Sequence, residues 1–345
     1  MPPRDEISVS NGILNVQTGK LRPHTPEFLH ANKFDIAWDD TGTATCPATD
    51  AFLNQVLGPE EQILFFEMVA HLLTPNTDIQ KAVLLQGLGG NGKSIFLEII
   101  KWILGFRNYS SETLRRLESN TFATANLLGK LANIQSDMTT ERIPGSENLK
   151  KITTGETVPV ERKYKTGSQA TLYARMITSC NAFPRTEDDS AAFFRRWVVI
   201  KFERKFVEGD RSNGWRPPTE ILTEIKKEGP GILLRAIKAL AGLRERGTFT
   251  ETTATRAALL EFQIATSSLS KWLDEHTVDG PEVYVRQDQV RKEYNEFCDA
   301  KGFERMDAES FSDKIRRFRP RVHVGKRGHE NFATFEGIAL QAGPF

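Results

Sequence analysis

The sequence predicts an α/β protein built on a largely parallel sheet covered by helices, and three observations predict it. Apolar runs suited to buried strands, KAVLLQG (81–87), KLANIQSD (130–137), ATLYARMITSCN (170–181) and RRWVVIKF (195–202), alternate with helical stretches. Strands separated in this way pair in parallel beneath helices on both faces. An amphipathic run, SIFLEIIKWIL, follows the first strand after only a glycine-rich loop. The 345 residues, 39% hydrophobic and 26% charged, suffice for two or three globular domains and carry no internal repeat.

Taken in order, residues 1–60 are rich in turns. ISVSNGILNVQTGKLRPH alternates around Asn11-Gly12 and Thr18-Gly19 in a β-hairpin pattern, with a disordered arm as the alternative. From Pro59, EEQILFFEMVAHLL is helical and closes at Thr74-Pro75-Asn76. Beyond Lys205, VEGDRSNGWRPPT reads as a polar loop, and ILTEIKKEGPGILLRAIKALAGLRERG as helices interrupted at Gly229-Pro230-Gly231. TRAALLEFQIATSSLSKWLDEHT reads as one long helix leading into a C-terminal module. The expected domains are a pre-core segment (1–60), a nucleotide-binding core (61–250) and a linker helix with the terminal module (251–345).

Bulk chemistry excludes several classes. A net charge of +1 means that any nucleic-acid surface must be local. Cys46, Cys180 and Cys298 lie far apart and the six histidines are scattered, so neither a disulfide framework nor structural zinc is expected. No apolar stretch of 18 residues occurs, and MPPRDEISVS lacks a signal-peptide core, so a soluble, cytoplasmic protein without membrane partners is expected.

Gly87, Gly92, Lys93 and Ser94 fit G-x-x-x-x-G-K-[ST] between a strand and a helix. Such a P-loop cradles nucleotide phosphates on backbone N–H groups and the helix N-terminus. Gly87, Leu88, Gly89, Gly90, Asn91, Gly92, Lys93, Ser94 and Ile95 are therefore expected to hold ATP. Lys93 would reach the β- and γ-phosphates, and Ser94 would ligate Mg²⁺. A further carboxylate should complete the magnesium shell and polarise the attacking water. Asp137 ends a strand 44 residues after Lys93, and Glu141 is the reserve candidate.

SENLKKITTGETVPVERKYK (146–165) joins a helix start to a glycine turn and a basic strand pair. Near its tip Arg162, Lys163 and Lys165 alternate with Glu161, Tyr164 and Thr166. Taken alone such a charged hairpin reads as a solvated surface; contact with single-stranded DNA phosphates, with Tyr164 stacking or packing, is the reading that its neighbouring motifs favour.

In this order the chain resembles the superfamily 3 helicases, above all the helicase part of the phage and plasmid primase family related to poxvirus primase-helicases. The motifs are GLGGNGKS, NIQSD, KKITTGETVPVERKYK, MITSCN and FFRRWVVIKF, and the first four lie within 95 residues, from Gly87 to Asn181. The resemblance implies an AAA+-like P-loop ATPase core with an N-terminal extension, assembled as a hexameric ring that moves along DNA. It makes Asn181 the polar sensor, Arg196 or Arg195 the arginine finger reaching a neighbour's ATP, with Arg196 preferred, and the basic hairpin a central-channel loop. It also implies replication of a virus, plasmid or integrated element. No primase constellation appears in the sequence, so the expectation is either a helicase-only protein or, preferred, the C-terminal part of a longer protein with a primase or polymerase module. One departure stands out: Ser136, not a second acid, precedes Asp137.

The C-terminal module reads as helix, turn, helix and two strands. Between Phe311 and Glu330, seven basic residues, among them Lys314, Arg316, Arg317, Lys326 and Arg327, face only Asp313 and Glu330. The pattern resembles a winged helix, docking either duplex DNA or a protein. Two rivals remain: an origin-recognition ATPase that does not unwind, and a P-loop kinase.

Overall fold

The structure is a computed structural model that describes residues 5–27, 31–138, 146–164, 167–184, 186, 188, 190–301, 303, 305–328 and 331–341. It divides into two compact units, Met1–Leu260 and Glu261–Phe345.

The first unit opens with β1 (Glu6–Val9), β2 (Gly12–Asn15) and β3 (Leu21–Arg22), an antiparallel meander whose first turn is Ser10-Asn11. Ile7, Val9 and Leu14 are buried in the unit's main core, so the N-terminal segment is part of that core. Next comes α1 (Pro47–Val56), a helix within the stretch read as turns. Its N-terminal N–H groups are capped from a distance: Glu228 accepts from Ala48 and Thr49 backbone N–H at 2.7 and 2.9 Å and from the Thr49 hydroxyl at 2.8 Å. Such an acid also complements the positive end of the helix dipole.

α2 (Gln62–Leu73) is buried along ten of its twelve residues. Its Phe65 meets Phe96 edge-on at 5.3 Å, and Phe96 meets Phe202 at 5.4 Å, so aromatic contacts run across the central layer. The chain then runs through β4 (Ala82–Gln86), α3 (Lys93–Leu104), β5 (Tyr109–Ser110), α4 (Leu114–Ser119), α5 (Thr121–Ala125) and β6 (Ala132–Met138). α6 (Glu147–Thr154) leads into the hairpin of β7 (Thr157–Val160) and β8 (Ser168–Thr171), then β9 (Arg175–Cys180), α7 (Ala191–Phe194) and β10 (Trp197–Lys201). α8 (Pro218–Ile225) and α9 (Gly229–Arg246) follow, joined by a 3₁₀ turn at Lys226–Glu228; the Gly-Pro-Gly expected to interrupt the helices instead opens α9, with Pro230 in its first turn.

The central sheet is wholly parallel, in the order β10-β4-β9-β6-β5. All five strands therefore end at one edge, where ligands of open α/β sheets bind. The run 170–181, read as one strand, is two: β8 pairs with β7, and β9 joins the central sheet. An apolar run does not reveal such a change of partner.

α10 (Thr253–Thr266) carries the division between the units. The single long helix expected here is interrupted at Ser267, whose hydroxyl accepts from the Ser270 N–H and starts α11 (Ser268–His276). The second unit continues with β11 (Thr277–Arg286), α12 (Gln287–Lys301), α13 (Ala308–Phe318), β12 (His323–Arg327) and β13 (Phe332–Leu340). Its antiparallel sheet has the order β11-β13-β12. β11 was not foreseen, because Gly280-Pro281 reads as a breaker; a register shift between Asp279 and Tyr284 accommodates the pair. Trp272, Tyr294, Phe311 and Phe335 form this unit's aromatic core.

Candidate functional site

The glycine-rich loop leaves β4 at the sheet's C-terminal edge. Gly87 donates its N–H to the Cys180 carbonyl at 3.2 Å, and a Cβ there would lie 2.4 Å from the Phe202 carbonyl oxygen. Any side chain would push the loop off its neighbouring strand. Gly92, the N-cap of α3, has φ +90°, and a Cβ there would come within 2.6 Å of Val56. Glycine is required at both positions for different reasons, the first steric and the second also conformational. Asn91, buried, ties the loop down by donating to the Phe202 carbonyl at 2.9 Å.

Three polar side chains from three segments meet at this edge. The Lys93 ammonium donates to the Gly87 carbonyl, to Asn91 Oδ1 at 3.1 Å and to Asn181 Oδ1 at 3.4 Å. Burial pulls its pKa below the ordinary lysine value, while Cys180 and Asp137 oppose the shift. Asn181 follows β9, the strand between β4 and β6, and its carbonyl accepts from Gln86 Nε2 at 3.1 Å. Asp137 stands near the end of β6, where the register with β9 slips by one residue. Its φ of +60° is unusual for a non-glycine residue, and its N–H donates to Ser179 Oγ at 2.9 Å. The bulge leaves Asp137 exposed at the edge.

These residues open on a cavity of about 680 Å³. Gly89 to Ile95, Asp137, Ser179 and Asn181 line one part of it. Ser94 and Asp137 bring hard oxygen donors to the same space, and no cluster of three His, Cys, Asp or Glu able to hold a metal occurs among the described residues. That donor set suits a cation shared with a ligand's oxygens better than one caged by protein alone.

The remaining wall was not anticipated. Phe52 and Gln55 come from α1, and Phe206, Glu208, Trp215, Arg216 and Ile221 from the loop and helix after β10. Arg216 is held by Glu220 and Glu224 at 2.7 Å each, which fixes the loop over the cavity. The only sequence signal was Trp215, an aromatic residue within a polar stretch.

Arg195 and Arg196 lie at the opposite edge. They precede β10, whose first residue pairs with Ala82 at the start of β4, so a five-residue strand separates them from the loop. That is roughly 15 Å. Arg196 is buried and donates to the Ala192 carbonyl, whereas Arg195 is exposed. The Arg195 carbonyl accepts from Lys81 Nζ at 2.6 Å.

The β7–β8 hairpin is seated on α5, where Thr124 Oγ1 donates to the Pro159 carbonyl at 2.7 Å. Arg162, Lys163 and Tyr164 are exposed at its tip, with Tyr164 at φ +62°. Lys165 and Glu141 fall outside the described residues. In the second unit Arg316 pairs with Asp313, and Arg327 pairs with Glu336 at 2.9 Å and covers the Tyr284 ring at 4.4 Å. Arg317 and Lys326 are exposed, and Lys314 is half-buried.

Residues 4–58 match a family described as D5 N terminal like, and residues 85–196 match a family of unknown function, DUF5906. A helicase-named protein of Acanthamoeba polyphaga mimivirus is 22% identical over 233 residues, which is 65% of this chain and 23% of that protein. A helicase-named protein of Invertebrate iridescent virus 3 is 22% identical over 222 residues, 59% of this chain and 23% of its own length. The chain thus spans 23% of the length of each of these curated relatives. The A-form apo structure of the NrS-1 C-terminal region is 14% identical, with a TM-score of 0.49, over 87% of this chain and 78% of that one. The D5-like match and the viral relatives bear out the resemblance to a phage and viral primase-helicase family.

Proposed function

We propose that the chain is the ATP-hydrolysing motor of a superfamily 3 DNA helicase, assembled as a ring and serving replication of a virus, plasmid or integrated element. One observation carries the reading: Lys93 and Ser94 from α3, Asp137 from β6 and Asn181 after β9 line one cavity at the C-terminal edge of a parallel sheet. In this reading the loop N–H groups and Lys93 bind the phosphates, Asn181 orients the attacking water, and Phe52, Phe206 and Trp215 pack around the base. Ser94 and Asp137 would hold Mg²⁺, which supplies positive charge to the phosphate oxygens when bound.

The arginine pair supports assembly. Neither residue reaches its own cavity from the far edge, so a finger from this segment must act on a neighbouring copy. Exposure favours Arg195 over Arg196, whose guanidinium is turned inward. Arg162 and Lys163 at the hairpin tip are suited to single-strand phosphates. The second unit's order, α11-β11-α12-α13-β12-β13, supports a winged helix docking duplex DNA, with α13 as recognition helix and β12–β13 as wing.

Strand displacement on a forked duplex, with ATP and Mg²⁺, tests the reading. A helicase unwinds the fork; an origin-recognition ATPase hydrolyses ATP without displacing the strand; a kinase needs an acceptor substrate and ignores DNA. Hydrolysis without displacement would remove the helicase.

A further inference from the structure

An acid that no motif accounts for stands at the cavity. Glu98 lies on α3 four residues after Ser94. Side chains at i and i+4 share one helix face, and Cα–Cβ bonds lean toward the N-terminus. Glu98 therefore stands one turn beyond Ser94 and leans back toward it, and both are exposed to the cavity that Asp137 also lines. Lys101, on the same face, donates to Glu98 at 2.9 Å and to Ser136 Oγ at 3.3 Å, fastening the carboxylate beside the end of β6.

The contact with Ser136 places the Glu98–Lys101 pair beside the residue that precedes Asp137, and a neutral serine hydroxyl there is itself a poor proton acceptor at neutral pH. Among the described residues the carboxylates lining the cavity are Glu98, Asp137 and Glu208. Asp137 is already committed beside Ser94 in the reading above. Glu208 comes from the loop that carries Phe206 and Trp215, on the base side of that same reading. Glu98 alone combines an acid, the Ser94 face of α3 and a link to the residue next to Asp137.

We propose that Glu98 is the general base for the attacking water, a role resting on the ATP-hydrolysis reading. As the water oxygen forms its bond to the γ-phosphorus, Glu98 accepts the water proton. The bond from the γ-phosphorus to the β,γ-bridging oxygen breaks, and its electron pair departs on ADP. The proton then passes from Glu98 to solvent, restoring the carboxylate.

Glu98→Gln, Glu98→Asp and Glu141→Gln, assayed in the full chain, test the assignment by turnover, affinity for a non-hydrolysable ATP analogue and the pH profile of kcat. Glu98→Gln should lower kcat by about 10²-fold or more. Its affinity for the analogue should stay within about threefold, and the acid limb of the profile, where the base becomes protonated, should disappear. Glu98→Asp, which keeps the charge on a shorter stem, should recover part of the rate and the limb. Unchanged kcat in Glu98→Gln, or affinity lost in step with turnover, would overturn the proposal. So would the same loss appearing in Glu141→Gln instead. Failure of the underlying reading looks different: there Lys93→Ala keeps its turnover whatever stands at position 98.

Discussion

The two edges of the central sheet treat positive charge in opposite ways. At the C-terminal edge, Lys93 is anchored by carbonyl-type oxygens yet lines an open cavity beside an exposed Asp137. At the N-terminal edge, the buried Arg175 donates to the carbonyls of Thr74, Asn76 and Tyr173, Arg196 to Ala192 and Lys81 to Arg195. Arg195 alone of that group is exposed. The basic hairpin leaves the sheet at this same edge, since β8 runs directly into the start of β9. The contrast shows how a parallel sheet sorts labour. Its strand ends leave polar groups facing an open cavity, and its strand starts tie most of their cations to carbonyls of the same chain.

Lys93→Ala is the harshest test of that division. It should abolish ATP hydrolysis while thermal unfolding and circular dichroism stay near those of the parent, because the ammonium serves the cavity and not the core. Near-normal turnover would break the comparison at its first term.

Arg195→Ala should come next, with a loss of about 10³-fold or more, the scale of an arginine finger. The sharper measurement mixes it with Lys93→Ala. Each variant is defective alone, but mixed assemblies place an intact loop beside an intact Arg195 at some interfaces, and part of the activity should return. Mixed assemblies that regain nothing would make the N-terminal edge purely structural.

A smaller effect is expected at the hairpin tip. Arg162→Ala combined with Lys163→Ala should weaken single-stranded DNA binding more than basal hydrolysis. The slope of log affinity against log salt should flatten by about 0.7 for each lost contact. An unchanged slope would detach the hairpin from DNA.

The smallest concerns His71, at the end of α2 and buried near Arg175. Desolvation first, and the Arg175 cation second, hold its pKa well below 6.5. Between that depressed folded value and about 6.5 the unfolded chain binds a proton that the folded chain refuses, so stability is lost as pH falls through this window. The loss is at most about 1.4 kcal/mol per pH unit. Urea unfolding at pH 7.5 and 5.5 should show it, and His71→Gln should flatten it; equal pH sensitivity in the variant would clear His71 of the effect.

Much of this was legible in the sequence where spacing within one segment carries the chemistry. The loop from Gly87 to Ser94 needs only a strand before it and a helix after it, and the alternation at 157–164 gave the basic hairpin directly. The unforeseen parts depend on distant segments meeting. Phe52 and Trp215 lie 163 positions apart and line one cavity. Glu228 caps a helix that begins 181 residues earlier, so α1 has no local side-chain cap, and Pro47 and Asp50 are its only start signals in the sequence. Arg195 and Arg196 are adjacent in sequence, and the single turn of α7 decides which of them faces the core.

The capping of α1 by Glu228 has a consequence for taking the molecule apart. Family models cut the chain into a block at 4–58 and another at 85–196, which invites expression of the second without the first. Yet Phe52 and Gln55 reach the cavity from the first block, Asp137 and Asn181 from the second, and the carboxylate anchoring α1 belongs to neither. A fragment begun at the second block would be an unroofed vessel, its cavity open on one side and its aromatic core laid bare to water. In this protein the smallest portable module is set by who encloses the cavity, and sequence similarity draws its borders elsewhere.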